Sequence, residues 1–283
     1  MAIENVSDTA RWVAYYRARE TQRPDALFHD PFAIRLAGPE ADAIMQVLPK
    51  NTAIANAIVI RTVVMDEIIL DCVTNRGVDT VINLAAGLDS RPWRMALPPS
   101  LRWVDVDLPG ILDHKTNTLA ADRTVCLYEA VPADLTVPGV ADALFARLGA
   151  GSRCALVITE GLLIYLKPEQ VAALGRALHV PGSFAWWLTD LASADLLKYI
   201  DRSHSKFLQN APFQFGPKEG TAFFTPLGWH ESEYRSTTTE ARQRGRPMPH
   251  DLLFRIISTL MSAKRVAELQ RFSGIVLFKR SNS

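Results

Sequence analysis

The chain has 283 residues, 48% hydrophobic and 22% charged, with a formal net charge of +1. That length fits one large domain, or one domain with an added lid, and the composition is ordinary for a globular protein. The balanced charge gives no whole-protein field for nucleic acid, and no apolar run reaches the ~20 residues of a membrane span, so neither partner is expected.

Met1-Ala-Ile-Glu-Asn-Val-Ser-Asp8 has no basic segment and no apolar run of a secretory leader. Residues 8 to 20 read as a helix with Asp8 as its cap, and Asp30-Pro31-Phe32 breaks it. Residues 51 to 75 form a long helix. Strands are expected at 81–84, 101–106, 124–128, 154–159 and 183–189. Helices lie between them at 141–148 and from Pro168, a residue the first turn tolerates. Cys72, Cys126 and Cys154 are far apart, two of them in strand-like runs, and are expected as free thiols in a reducing cytoplasm. Residues 190–226, rich in Phe, Pro and Gly, read as an inserted lid. Two late strands, 229–236 and 275–279, flank a helix over 249–269.

Alternating strands and helices predict a parallel α/β sheet. By fold-level analogy, a late closing antiparallel pair resembles that of class I methyltransferases, so the expected architecture is a doubly wound, Rossmann-like, seven-stranded sheet of that type. It comprises an N-terminal helical region (1–75), a core (76–189), the lid (190–226) and the closing strands and helix (227–283).

The most informative stretch is Val81-Ile-Asn-Leu-Ala-Ala-Gly-Leu-Asp-Ser-Arg91, followed by Asp105 eighteen residues after Gly87. A strand ending in a glycine turn, then a strand ending in an acid, suits a nucleoside: backbone N–H groups approach it and a carboxylate takes its ribose diol. A dinucleotide fingerprint has three glycines where this turn has one. The expected occupant is therefore S-adenosyl-L-methionine, with Asp105 on the ribose and Asp107 either sharing that role or capping the next helix. Asp134 and Leu135 follow the third strand. They either meet the adenine, by an acceptor and a backbone N–H, or form an Asx-turn.

Arg61 lies on an apolar helix face, where an unpaired charge costs several kcal/mol. It either pairs internally with Asp89 or Glu160, reaches water, or clamps the carboxylate of the donor, for which its planar fork is suited. Glu160 ends the fourth strand and either holds the donor ammonium or balances Arg61; Gly161 leaves room beside it. Catalytic residues are not identifiable. Substrate-side candidates are Tyr15, Tyr165, Arg202 and His204, with Tyr16, Trp186, Trp187, Tyr199 and Phe207 read mainly as packing. No His sits in a metal-ligand spacing, and neither a nucleophile elbow nor a P-loop occurs.

These residues resemble the leucine carboxyl methyltransferase-like (PPM-type) family of S-adenosylmethionine-dependent methyltransferases, in its bacterial branch of mycobacterial and actinomycete secondary-metabolism members. The resemblance runs through Thr9-Ala10, Arg17-Ala-Arg-Glu20, Asp30-Pro-Phe-Ala33, Arg61-Thr62, Asn83 to Arg91, Val104 to Pro109, Lys115, Ala133-Asp-Leu135, Glu160 to Tyr165 and Leu227-Gly-Trp229. It implies a helical lid and a donor held by Arg61, Gly87, Asp105, Asp134, Leu135 and Glu160, with Arg17 joining the carboxylate clamp. The expected activity is O-methyl transfer to a carboxylate or hydroxyl of a small molecule; the alternatives are a hydroxyl-specific O-methyltransferase of a polyketide-type pathway, a protein that binds the donor without transfer, and an NAD-dependent oxidoreductase. One departure stands out: Ala85 replaces the first glycine of the family's turn, which matters only if that position needs positive φ.

Overall fold

The computed structural model describes residues 6–39, 52–198, 212–249 and 261–281. Helices α1 (Val6–Thr21), α2 (Ala33–Ala37) and α3 (Thr52–Asn75) precede the sheet. Asp8 therefore falls inside α1, not at its cap. Then come β1 (Thr80–Leu84), α4 (Arg91–Arg94), β2 (Arg102–Asp107), α5 (Pro109–Thr118) and β3 (Leu127–Pro132). They are followed by α6 (Val140–Ala150), β4 (Ala155–Thr159), α7 (Pro168–His179) and β5 (Phe184–Ala192). The chain closes with β6 (Trp229–Ser236), α8 (Thr237–Gln243), α9 (Ala263–Gln270) and β7 (Ser273–Arg280).

The seven strands run in the order β3-β2-β1-β4-β5-β7-β6. The first five are parallel, and β7 is antiparallel to both neighbours. Strand order reverses between β1 and β4, so the helices diverge there and leave a crevice at the strand C-termini.

Period-two alternation sends side chains to two cores. Val81, Trp103, Leu156 and Leu188 pack under α3, with Ile60, Val64, Ile68 and Cys72. Ile82, Val104, Val157 and Trp187 pack on the other face against Phe145 of α6 and Val171 and Leu178 of α7. Helix α3 buries the polar Thr62 and Asp66 along with its apolar residues, while Glu67 faces outward.

Most boundaries shift by a residue or more, and those of β3, β4 and β5 matter here. β3 begins at Leu127 rather than at 124, because Thr124 and the free thiol Cys126 belong to the turn before it. Cys154 likewise precedes a strand, and Cys72 is helical. β5 runs to Ala192, held there by its ladder with β7, so the lid cannot start at 190. Tyr199, Arg202, His204 and Phe207, and much of the expected 249–269 helix, lie outside the described residues.

Candidate active site

A cleft of about 790 Å³ opens over the C-terminal ends of β1–β5. Read across the strand tips, it meets Asp134 and Leu135 after β3, Asp107 of β2, the turn after β1, Glu160 after β4 and Asp190 of β5. Helices α1 and α3 supply its other wall, including Arg17 and Arg61.

The expected ribose acid is corrected. Asp105 and Asp107 share a face of β2, but Asp105 lies two residues inside the sheet and is fully buried. Its carboxylate accepts from Lys115 Nζ at 2.6 Å and from Trp103 Nε1 at 2.8 Å, and it does not reach the cleft. Asp107 occupies the strand tip instead. It accepts the Gly87 N–H at 2.6 Å and the Leu108 N–H at 2.7 Å, joining the two turns that frame the cleft. Burial raises the Asp107 carboxyl above its ordinary pKa, against the opposing pull of those two N–H groups.

The turn itself is tight. Gly87 has φ +51°, and a Cβ there would lie 3.3 Å from Ala10 Cβ of α1. Ala85 also has φ +51°, and it is the one non-glycine residue with positive φ among the described residues. The family's glycine is thus missing where the backbone needs it. A left-handed L-residue costs about 1–2 kcal/mol, and glycine returns roughly 0.5–1 kcal/mol of that in entropy. Ala85→Gly is therefore expected to stabilise the fold by up to about 1 kcal/mol, raising the midpoint of a thermal melt by roughly 2 °C. A lowered midpoint would contradict strain at this turn.

Behind the cleft wall, and surfacing in it at Arg17, Asp89, Glu160, Arg61 and Asp190, charges alternate in an unbroken chain. Arg17 Nε meets Asp30 at 3.0 Å, and Arg94 lies 3.8 Å from the same acid. Arg94 and Arg91 share Asp66 at 2.7 and 2.6 Å. Arg91 Nη1 then bridges Asp89 and Glu160, each at 2.7 Å. Glu160 accepts from Arg61 Nε at 2.9 Å, and Arg61 Nη1 donates to Asp190 at 3.1 Å. Burial pushes the Glu160 carboxyl up, but the charges of Arg91 and Arg61 outweigh it and hold its pKa below the ordinary value. Asp89 is held lower still by Arg91, Arg17 and Lys115, which together overcome its burial.

Arg61 thus has an internal partner, Glu160, as one expectation had it, and a second in Asp190. Its Nη2 makes no hydrogen bond among the described residues. Nor does Nη1 of Arg17, whose Nη2 donates to the Leu88 carbonyl at 2.5 Å. Gly161 leaves room for Arg61 rather than for a ligand: at φ +64°, its missing Cβ would stand 3.1 Å from Arg61 Nη1.

Asp134 forms the Asx-turn, accepting from the Thr136 N–H at 2.9 Å and its hydroxyl at 2.6 Å, while still lining the cleft beside Leu135. Tyr165 lines the cleft, and burial raises its phenol pKa. Tyr15 does not line it; the ring packs against the cluster of Leu36, Leu88 and Trp93. Trp187 is core, donating to Thr159 Oγ1 at 2.8 Å, and Trp186 stacks under Arg76 on the opposite side. Sequence reasoning passed over Asp190, Asp66 and Arg91. Asp190 had a usable signal, a carboxylate beside the tip of the fourth strand, but the expected fifth strand stops three residues short of its observed end at Ala192.

Strand order, the antiparallel seventh strand and a cleft at the switch point define a class I methyltransferase fold. Two solved structures share it. A DUF574 family protein from Streptomyces avermitilis has a TM-score of 0.59 at 14% identity, covering 97% of each chain. A putative methyltransferase from Thermobifida fusca scores 0.55 at 18% identity, covering 94% of each.

The leucine carboxyl methyltransferase profile matches residues 10–179, and the chain belongs to that family. It is similar to a putative S-adenosyl-L-methionine-dependent methyltransferase from Parafrankia sp., 32% identical over 262 residues, 87% of this chain and 84% of the relative. A relative with the same description from Streptomyces coelicolor is 37% identical over 180 residues, 59% of this chain and 62% of the relative.

Proposed function

We propose that the cleft binds S-adenosyl-L-methionine and that the protein transfers its methyl group to an oxygen, carboxylate or hydroxyl, of a small molecule. One observation carries this reading: among the described residues, two arginines with uncommitted guanidinium nitrogens face a cleft whose other charged lining residues are carboxylates. Arg17 and Arg61 stand against Asp89, Asp107, Asp134, Asp142, Glu160 and Asp190. A donor with one carboxylate and two positive centres, an ammonium and a sulfonium, matches that pattern. Its adenine belongs beside Asp134 and Leu135, its ribose on Asp107, its ammonium toward Glu160 and its carboxylate between Arg17 and Arg61.

The donor supplies an activated methyl group. The protein supplies alignment and exclusion of water, and orientation alone lowers a barrier by up to about 7–11 kcal/mol. The ion-pair chain keeps Arg61 and Glu160 in fixed rotamers, so neither has to reorganise when the donor arrives. The free cysteines suit a reducing compartment, and we place the enzyme in the cytoplasm.

Calorimetric titration tests this. S-adenosylmethionine should bind and NAD should not. Arg61→Ala should weaken S-adenosylmethionine at least tenfold while changing affinity for methylthioadenosine, which lacks the amino-acid tail, by less than threefold. Equal losses would remove the carboxylate clamp; tight NAD binding would overturn the donor assignment.

A further inference from the structure

We infer that the acceptor presents a neutral hydroxyl on an apolar, ring-bearing body, and that Asp190 receives the hydroxyl proton. This rests on the donor assignment above. With the donor laid from the β3 tip to the β4 tip, the part of the cleft left for the acceptor is the end at β5. Its walls are Trp12 and Val13 of α1, Ile54 and Ile58 of α3, and Tyr165 with Phe213. Trp12, Val13, Ile54 and Ile58 form a small apolar cluster of their own. Tyr165 and Phe213 stand edge to face with centroids 5.3 Å apart. Such walls take a flat apolar body, since ring faces and edges pack favourably at this spacing.

The carboxylate at that end is Asp190. One carboxylate oxygen accepts the Gly161 N–H at 2.6 Å and the other accepts Arg61 Nη1 at 3.1 Å, and the residue lines the cleft. These contacts fix its orientation and leave each oxygen able to accept again. Glu160 is its neighbour across Arg61. An incoming carboxylate would meet two like charges, and among the described residues the cations lining the cleft, Arg17 and Arg61, turn their uncommitted nitrogens to the donor's own carboxylate. Like charges in a partly desolvated site repel one another. A neutral hydroxyl meets the opposite situation, because it can donate to Asp190.

The step then balances. The hydroxyl oxygen forms a bond to the methyl carbon as its proton passes to Asp190. The carbon–sulfur bond breaks, and its electron pair stays on sulfur as a thioether. Asp190 returns the proton to water.

The test uses a matched pair, 2-naphthol and 2-naphthoate, titrated into the full-length protein saturated with S-adenosylhomocysteine. We expect 2-naphthol to bind at least tenfold more tightly than 2-naphthoate, and with S-adenosylmethionine to yield a base-stable methyl ether. Asp190→Asn should bring the two affinities within threefold of each other while retaining S-adenosylhomocysteine binding. A preference for the naphthoate overturns the proposal, as do binding of neither probe at millimolar concentration and an unchanged ratio in the variant. The wild-type comparison does not depend on the variant folding. Failure of wild-type protein to bind S-adenosylhomocysteine at all would instead remove the donor assignment, and this proposal with it.

Discussion

Asp105→Ala is expected to lower the unfolding free energy by about 3–5 kcal/mol, the usual cost of breaking a buried ion pair from one side. In a chain of this size that is a fall in thermal midpoint on the order of 10 °C. Asp105 and Lys115 are both fully buried, with Asp105 Oδ2 and Lys115 Nζ 2.6 Å apart. Burial raises the Asp105 carboxyl, and Lys115 opposes that rise. Without Asp105, the ammonium keeps only the Asp89 carbonyl, at 3.3 Å. Removing both charges together, as Asp105→Leu with Lys115→Met, should recover much of the loss, since an apolar pair of similar volume has no charge to desolvate. Urea unfolding of the single and double variants checks both statements. A single-variant loss under 1 kcal/mol would show that Lys115 finds another partner.

Asp107→Ala should cost less stability than Asp105→Ala, since it strands no buried charge and releases only the Gly87 and Leu108 N–H groups, and should weaken S-adenosylmethionine roughly 10- to 100-fold. Hydrogen bonds to a charged acceptor are worth about 1.5–3 kcal/mol each, and 1.4 kcal/mol is a factor of ten. Part of the loss comes through the Gly87 N–H, which Asp107 fixes at 2.6 Å. Asp107→Asn keeps an oxygen for that N–H and should recover part of the affinity. Unchanged affinity in a folded Asp107→Ala protein would take the ribose away from this carboxylate.

The contrast between these two aspartates shows what the sequence could and could not convey. Strands, helices and the closing antiparallel pair were legible because period-two and helical apolar patterns survive without tertiary information. The glycine turn was legible as well, and so was the possibility that Arg61 pairs with Glu160. Choosing between Asp105 and Asp107 required the strand end to one residue, and boundaries are where pattern reading is weakest. The decisive partner of Asp105 is Lys115, one helix onward, which period-two spacing within the strand does not reveal. Asp190 was missed for a similar reason: its strand continues because β7 pairs with it from more than eighty residues away, as in Asp190↔Ile275. The Arg91–Asp66 contact joins α4 to α3, and no local pattern announces it.

The placement of β7 between β5 and β6 also governs how the chain is made. Until residues 273–280 have left the ribosome, β5 shows an unpaired edge and β6 has nothing to lie against. This side of the sheet is thus closed only after the six other strands have been made, and a nascent or truncated chain ending before Ser273 offers two open ladders to its neighbours. Such edges template aggregation. Cellular yield of this enzyme should therefore depend on factors that shield emerging chains more than on the stability of the finished fold.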